Sequence, residues 1–212
     1  MKIVKLSVIT LLLIGSAEAK NARDKTWEFF FTPEFVQSKT LDFDGGAEAE
    51  INTRTGLGFG FGYNLNPNVE FTLLFSASSG NYKGTRVDEN GEHKEFTSNT
   101  YTNSLNLGAT YNFLDGAFTP YVTGTLGVTY VDSGITVEDG HEYCWWDPWW
   151  GYMCHSVTYT DTKMNYGASI GLRYDFSSGL FIKGGVGKNY IDFDTTNSPD
   201  FLIYDFTIGG TF

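Results

Sequence analysis

Charged side chains recur on the polar side of segments that alternate between polar and apolar residues. Five acidic and four basic residues share this position: Glu28, Glu34, Arg54, Glu70, Lys163, Arg173, Asp175, Lys183 and Asp205. Nearly equal numbers of the two signs on one face predict mutual neutralisation, because an unpaired buried charge costs several kcal/mol. If the first two strands pair about residue 43, Glu34 and Arg54 lie almost opposite each other and form an ion pair.

A second group of chemically distinctive residues lies between residues 141 and 155. Cys144 and Cys154 are the only cysteines, and in an exported chain such a pair predicts a disulfide. The alternative is a zinc site in which His141 and His155 join the two cysteines. Their spacing fits no standard zinc motif, so we predict no metal and no cofactor. The same segment holds four of the five tryptophans: Trp145, Trp146, Trp149 and Trp150.

The histidines bear on whether the chain is an enzyme. There are three, His93, His141 and His155, and all fall in predicted connections rather than beside an inward-facing serine. A serine nucleophile needs a base within hydrogen-bonding distance, and no such pair can be placed. The sequence therefore predicts no catalytic residues.

The first residues predict export. Lys2 and Lys5 precede a short apolar run and the small-residue site Ala17-Glu18-Ala19, as in a secretory signal peptide. We therefore divide the chain into a signal peptide at 1–19 and one domain at 20–212. A net charge of −11 argues against nucleic acid as a partner, because phosphates would be repelled.

The elements that position these side chains are strands with a period of two. In residues 51–65 the odd positions are mostly apolar, while the even positions are polar or glycine, a period that no helix produces. The other predicted strands are 27–37, 69–78, 99–113, 118–131, 162–176, 180–191 and 201–212. Short turns at 64–68, 114–117 and 177–179 alternate with long connections at 38–49, 79–98, 132–161 and 192–200.

Eight strands with turns of alternating length predict an all-β fold, a closed antiparallel eight-stranded up-and-down barrel. Aromatic residues near both strand ends indicate two girdles at membrane interfaces, so the apolar side faces lipid and the polar side is enclosed. A soluble lipocalin-like barrel would instead direct the apolar side toward a central cavity.

The mature chain resembles the small OmpA-like and opacity-type outer-membrane barrels of the porin-like superfamily. The resemblance rests on the strand pattern and on the ending at 204–212, where Phe212 resembles the terminal assembly signal of this class and Gly210 departs from it. It implies insertion by the barrel assembly machinery, both termini in the periplasm, and location in the outer membrane of a Gram-negative bacterium.

Function is then expected in the external loops. The first hypothesis is surface contact or adhesion together with envelope integrity, with the bilayer, lipopolysaccharide and a host or surface ligand as partners of a monomer. In this hypothesis the four tryptophans make contact, whereas the alternative is that their loop covers the barrel mouth and buries its own rings. A second hypothesis is a narrow porin-like channel for small solutes. A lipid-modifying enzyme is the least favoured.

Overall fold

The computed structural model describes residues 23–42, 48–87, 93–136, 143–147, 151–155, 157–193 and 199–212. Its elements are strands: β1 (Thr26–Val36), β2 (Lys39–Asp42), β3 (Glu48–Ile51), β4 (Arg54–Asn64), β5 (Val69–Val87), β6 (His93–Asn112), β7 (Phe118–Thr136), β8 (Tyr143–Asp147), β9 (Gly151–His155), β10 (Thr158–Asp175), β11 (Leu180–Ile191) and β12 (Asp200–Thr211). No helix in these ranges is long and apolar enough to cross a membrane.

Eight of these strands form a closed antiparallel barrel. The order around it is β1, β4, β5, β6, β7, β10, β11 and β12, and the first and last strands pair with each other. Chain neighbours are therefore sheet neighbours throughout, which confirms the predicted up-and-down barrel. The short strands β2 and β3 extend the β1 and β4 side, and β8 and β9 form a separate two-stranded hairpin.

The two sides of each strand differ as the alternation predicts. On β6, Leu107 is 64% exposed on the outer surface, whereas Thr102 is only 7% exposed inside the barrel. An outer surface of exposed leucine, phenylalanine and tyrosine would be unfavourable in water but suits hydrocarbon. The apolar side therefore faces outward and the polar side is enclosed, the opposite of a lipocalin-like barrel.

The aromatic residues lie at the two ends of this apolar surface. Near the short turns, the rings of Trp27 and Tyr63 touch with centroids 4.9 Å apart, and Phe113 is 56% exposed. Near the other end, Tyr101 and Tyr130 are 49% and 40% exposed. Aromatic side chains prefer the boundary between hydrocarbon and water, so the two belts mark the height of the bilayer.

The strands extend farther on one side of the barrel than the sequence predicted. β5 and β6 contain 19 and 20 residues, whereas about 9–11 residues cross a bilayer. The sequence predicted connections at 79–98 and 132–161, and their predicted lengths were wrong. Strand structure continues to Val87 and Thr136 and resumes at His93 and Thr158. The residues of β5 and β6 beyond a membrane span lie outside the bilayer, on the side of the long connections.

The chain ends are tied together at the opposite side. Trp27 and Phe212 exchange two backbone hydrogen bonds of 3.0 and 2.9 Å, which complete the ladder between β1 and β12. The short turns lie at this end of the barrel. In outer-membrane barrels the short turns face the periplasm, which gives the barrel its orientation.

Candidate functional site

The periplasmic end of the barrel interior holds a cluster of buried charges around one arginine. The guanidinium of Arg173 lies 2.6 Å from Glu28, 3.0 Å from Glu70 and 2.7 Å from Asp175. The ammonium of Lys183 lies 2.6 Å from the second oxygen of Glu70. The side chains of Arg173, Glu28 and Glu70 are 0% exposed, so these bonds lie in a water-poor interior.

A second arginine enters this cluster from outside the strands. Arg23, just before β1, is 2% exposed, and its Nε lies 3.4 Å from Asp175. Its Nη2 donates hydrogen bonds of 2.9 Å to the carbonyl oxygens of Leu114 and Gly116 in a periplasmic turn. Arg23 thus ties the segment before β1 to that turn, across the periplasmic mouth.

We call these six residues the basal ion cluster: Glu28, Glu70 and Asp175 with Arg23, Arg173 and Lys183. Three negative and three positive charges cancel formally. Each carboxylate faces at least one cation at hydrogen-bonding or ion-pair distance. Neutrality matters here because a charge buried without a partner is strongly destabilising.

Aromatic rings fill the space beside the cluster. Phe181 is fully buried, and the Arg173 guanidinium lies 4.3 Å from the centre of its ring. Phe30 lies over Gly60 of the neighbouring strand, where a Cβ atom would stand 2.6 Å from the ring. Glycine at this position leaves room for an inward phenylalanine in a narrow barrel. The rings and the ions together fill the periplasmic end of the lumen.

Above the basal ion cluster the interior opens into a cavity of about 180 Å³. Hydroxyl and amide side chains form much of its wall, among them Thr32, Ser104 and Asn106. Its external end is bordered by a buried apolar cluster of Val36, Leu41, Ile191 and Phe201, in which Leu41 comes from β2. The lumen thus contains a cavity lined by hydroxyl, amide and apolar side chains, with the basal ion cluster below it and the apolar cluster on one side of its external end.

Three further site residues from the sequence analysis lie along this cavity, but not in the predicted arrangement. Glu34 and Asp205 are cross-strand partners on β1 and β12. Arg54 is opposite Val36 rather than Glu34, so the predicted register was off by two residues. The described ion pairs include none between Glu34 and Arg54; the Arg54 guanidinium instead lies 5.3 Å from the Phe201 ring centre.

The cause of this error is the position of the hairpin centre. Asp42 pairs with Glu48, which places the centre of the hairpin at residue 45, and the pairing of β1 with β4 continues the same register. A centre at residue 44 would have brought Glu34 directly opposite Arg54. Two residues along a strand correspond to roughly 7 Å, so Glu34 and Arg54 are diagonal neighbours that attract each other without forming an ion pair.

The remaining residues of the predicted charge network divide between two places. Glu70, Arg173, Asp175 and Lys183 meet in the basal ion cluster. Lys163 lies near the external end, where its ammonium is 2.9 Å from Asp161. The predicted network is therefore not continuous along the lumen.

Arg23 could not be assigned to the site from the sequence, and Glu28 could be placed only on the inward side of the first strand. Glu28 could have been found from its position on the polar side of β1. Arg23 precedes the first strand, so no alternation shows where it points.

The hairpin of β8 and β9 carries the cysteines and two of the tryptophans. Its backbone register sets Cys144 opposite Cys154, Trp145 opposite Met153 and Trp146 opposite Tyr152. Trp149, Trp150 and His141 lie outside the described residues. Among the described side chains, no group of three or more His, Cys, Asp or Glu could hold a metal ion.

Comparison with known families agrees with this architecture. The family model for the outer membrane protein beta-barrel domain matches residues 8–212. The chain belongs to this family. No curated protein sequence matches it at a significant level.

Several solved structures of outer-membrane proteins are similar to this chain. The outer membrane protein OprG from Pseudomonas aeruginosa is 15% identical with a TM-score of 0.55, and the match covers 92% of this chain and 99% of that one. Neisserial surface protein A is 14% identical with a TM-score of 0.48, covering 86% and 95% of the two chains. Ail of Yersinia pestis, solved with the heparin analogue sucrose octasulfate, is 12% identical with a TM-score of 0.49, covering 88% and 99%.

Membership of the outer membrane beta-barrel family fixes where the molecule resides. The protein is a barrel of the Gram-negative outer membrane, with its exposed apolar surface in lipid. The resemblance inferred from the alternating strands is thereby confirmed.

Proposed function

We propose that this barrel is a closed scaffold that holds external hairpins in place for surface contact, rather than a channel. The observation that carries the proposal is the basal ion cluster, which fills the periplasmic end of the lumen with buried side chains, three of them fully buried. A solute crossing the barrel would have to displace it.

Displacing the cluster would be costly. Arg173 and its three carboxylate partners would each lose charge-assisted hydrogen bonds in a water-poor interior, and breaking one buried ion pair costs about 3–5 kcal/mol. Arg23 adds a tie to the periplasmic turn. Thermal opening of this end would therefore be rare.

The external strand extensions support the contact role. At about 3.3 Å per residue, the ten or so residues of β5 and of β6 beyond a membrane span would extend roughly 30 Å. β3 pairs with β5 there, so this hairpin is braced by a third strand. A braced hairpin presents its side chains at low entropic cost to a partner.

Conductance separates this proposal from the channel alternative, which the cavity of about 180 Å³ favours. In planar bilayers containing the purified full chain, we expect no steady unitary steps, because the basal ion cluster blocks the path. A general porin measured in the same bilayer provides the positive control. Steady unitary steps from the wild-type protein would contradict the closed scaffold.

The contact role is tested by shortening one hairpin. Residues 143–155 are replaced by a short Gly-Ser linker, which removes the tryptophan-rich segment while the barrel strands remain. We expect lower adhesion of expressing cells to host-cell layers, because tryptophan is among the residues that contribute most binding energy at protein interfaces.

The matched control shortens the β5–β6 hairpin at residues 86–94, with surface amounts of both variants equalised by antibody to an inserted tag. Adhesion that is unchanged by the first deletion, or reduced equally by both, would contradict a specific role for the tryptophan-rich segment.

A further inference from the structure

The lipid-facing surface carries a charged side chain where the alternation calls for an apolar one. Lys188 lies on the outward side of β11, two residues from Val186 and from Tyr190. Its cross-strand neighbours on either side are Ala168 and Leu202. Lys188 is thus surrounded by residues suited to a membrane surface.

Lys188 shares one carboxylate with a second lysine. Its ammonium lies 2.5 Å from Oδ2 of Asp200, and the ammonium of Lys39 lies 2.6 Å from Oδ1 of the same residue. The three side chains are 55%, 40% and 25% exposed for Lys188, Lys39 and Asp200. Two positive charges around one negative charge leave an excess of one positive charge. We call Lys39 and Lys188 the rim lysine pair.

The rim lysine pair lies at the level of the external membrane interface. Asp200 is the cross-strand partner of Tyr190, whose ring stacks on that of Tyr166 with centroids 5.3 Å apart. Tyrosines of this kind mark the headgroup level. The backbone of Lys188 lies two residues nearer the membrane centre than that of Tyr190. Its long side chain extends toward Asp200 and the interface, as lysine side chains do near a membrane boundary.

Protein stability alone gives little reason for this arrangement. Exposed ion pairs stabilise proteins weakly, and a lysine on the lipid side is unfavourable unless its ammonium reaches polar groups. Each ammonium has three donors, and Asp200 accepts from one of each. Because the Lys188 side chain is 55% exposed, its remaining donors are accessible to an acceptor at the headgroup level.

The surrounding charge makes the pair distinctive as an anion site. The chain has a net charge of −11, so as a whole it repels anions. Asp192, the next acidic residue along this edge, lies two residues beyond Tyr190 on the external side. The rim lysine pair is therefore closer to the membrane than that carboxylate.

We propose that Lys39 and Lys188 bind a phosphate group of lipid A in the outer leaflet, next to the paired rings of Tyr166 and Tyr190. Lipid A is the lipopolysaccharide anchor, and its phosphates lie at the headgroup level where the two ammonium groups meet. The site goes beyond the proposed contact function, since it does not depend on what the hairpins touch.

The test measures lipid binding to the purified full chain, refolded in detergent free of lipopolysaccharide. Diphosphoryl lipid A and a fully dephosphorylated lipid A are titrated separately. We expect the phosphorylated form to bind more tightly, and Lys39→Gln and Lys188→Gln each to weaken that binding about fivefold, the contribution of one lysine near an anionic surface. The double variant should lose most of the preference for phosphate.

Two further variants sharpen the result. Asp200→Asn removes the competing carboxylate and should tighten binding of the diphosphoryl form. Lys83→Gln removes an exposed lysine of the external β5 extension and should leave binding within twofold of wild type. All variants are first shown to be folded by the heat-sensitive gel mobility of closed barrels.

Three outcomes would overturn the proposal. They are equal binding of the two lipids by the wild-type chain, a double variant that binds as the wild type does, and displacement of the lipid by inorganic phosphate at matched ionic strength. The last would assign the lysines to a soluble anion instead of a membrane headgroup.

Discussion

At the level of single residues, Arg173 organises the interior of the barrel. It is fully buried and contacts three carboxylates, from β1, β5 and its own strand β10. One side chain therefore links strands that are not neighbours in the sheet. A network of ion pairs across the lumen opposes both the entry of water and the flattening of the barrel's circular cross-section.

Replacing Arg173 should be among the most damaging single changes in this chain. Arg173→Gln leaves Glu28, Glu70 and Asp175 with only Lys183 and Arg23 as cations, so one buried negative charge loses its partner. We expect a loss of about 3–5 kcal/mol in the free energy of unfolding. The measurement is reversible urea unfolding in lipid vesicles, followed by tryptophan fluorescence.

Lys163→Gln is the matched control, since it breaks the ion pair with the exposed Asp161 near the rim and should cost at most about 1 kcal/mol. The double change Glu28→Gln with Arg173→Gln removes one charge of each sign and should recover part of the loss. Equal stability of Arg173→Gln and Lys163→Gln would show that the basal ion cluster does not stabilise the barrel.

Which charges face inward could be predicted from sequence, but not which of them meet. Alternation is enough to place Glu34, Arg54 and Lys163 on the polar side, because facing inward depends only on the direction of each side chain along its own strand. Partner choice depends on register and on height across the barrel. A two-residue shift between β1 and β4 moved Arg54 opposite Val36, and Lys163 lies too near the rim to reach the basal ion cluster.

At the level of elements, the barrel strands and the external hairpins differ in how regularly polar and apolar residues alternate. Within the bilayer one side of a strand meets lipid, so alternation is strict and the predicted ends near the short turns agree with the structure. Beyond the membrane the outer side of the strands meets water instead of lipid, so the residue types at 80–87 show no apolar period, although Tyr82 on the inner side is still buried. The sequence therefore could not show that β5 and β6 continue there.

The β8–β9 hairpin carries a testable prediction of its own. Its register sets Cys144 opposite Cys154, and directly opposed strand residues have Cα atoms about 4.5–5.5 Å apart, within the range that a disulfide spans. We expect the exported protein to contain a disulfide at this position. Thiol titration of the denatured, unreduced chain should find no reactive cysteine.

The single variant Cys154→Ser provides the control, because it should release one reactive thiol at Cys144. Two titratable thiols in the wild-type chain would contradict the disulfide. Retention of zinc by that reduced chain would then favour the alternative metal site.

At the level of the whole molecule, a closed lumen is combined with an outer surface whose residue types change along the barrel axis. The periplasmic end is filled by ions and aromatic rings, the middle is a polar cavity, and the external end rises into paired strands. Outside, the apolar band lies between two aromatic belts, with the rim lysine pair at the upper one. Each feature depends on which side of the strands meets lipid.

That dependence is tested most directly by scanning β6 from Asn103 to Asn112 with single cysteines, in a chain whose own Cys144 and Cys154 are serine. Each cysteine carries a nitroxide, and collision with oxygen dissolved in the bilayer is compared with collision with a water-soluble nickel complex. We expect oxygen accessibility to alternate with a period of two, high at 105, 107 and 109 and low at 104, 106 and 108. Uniform accessibility, or the reverse alternation, would contradict a barrel whose apolar side contacts hydrocarbon.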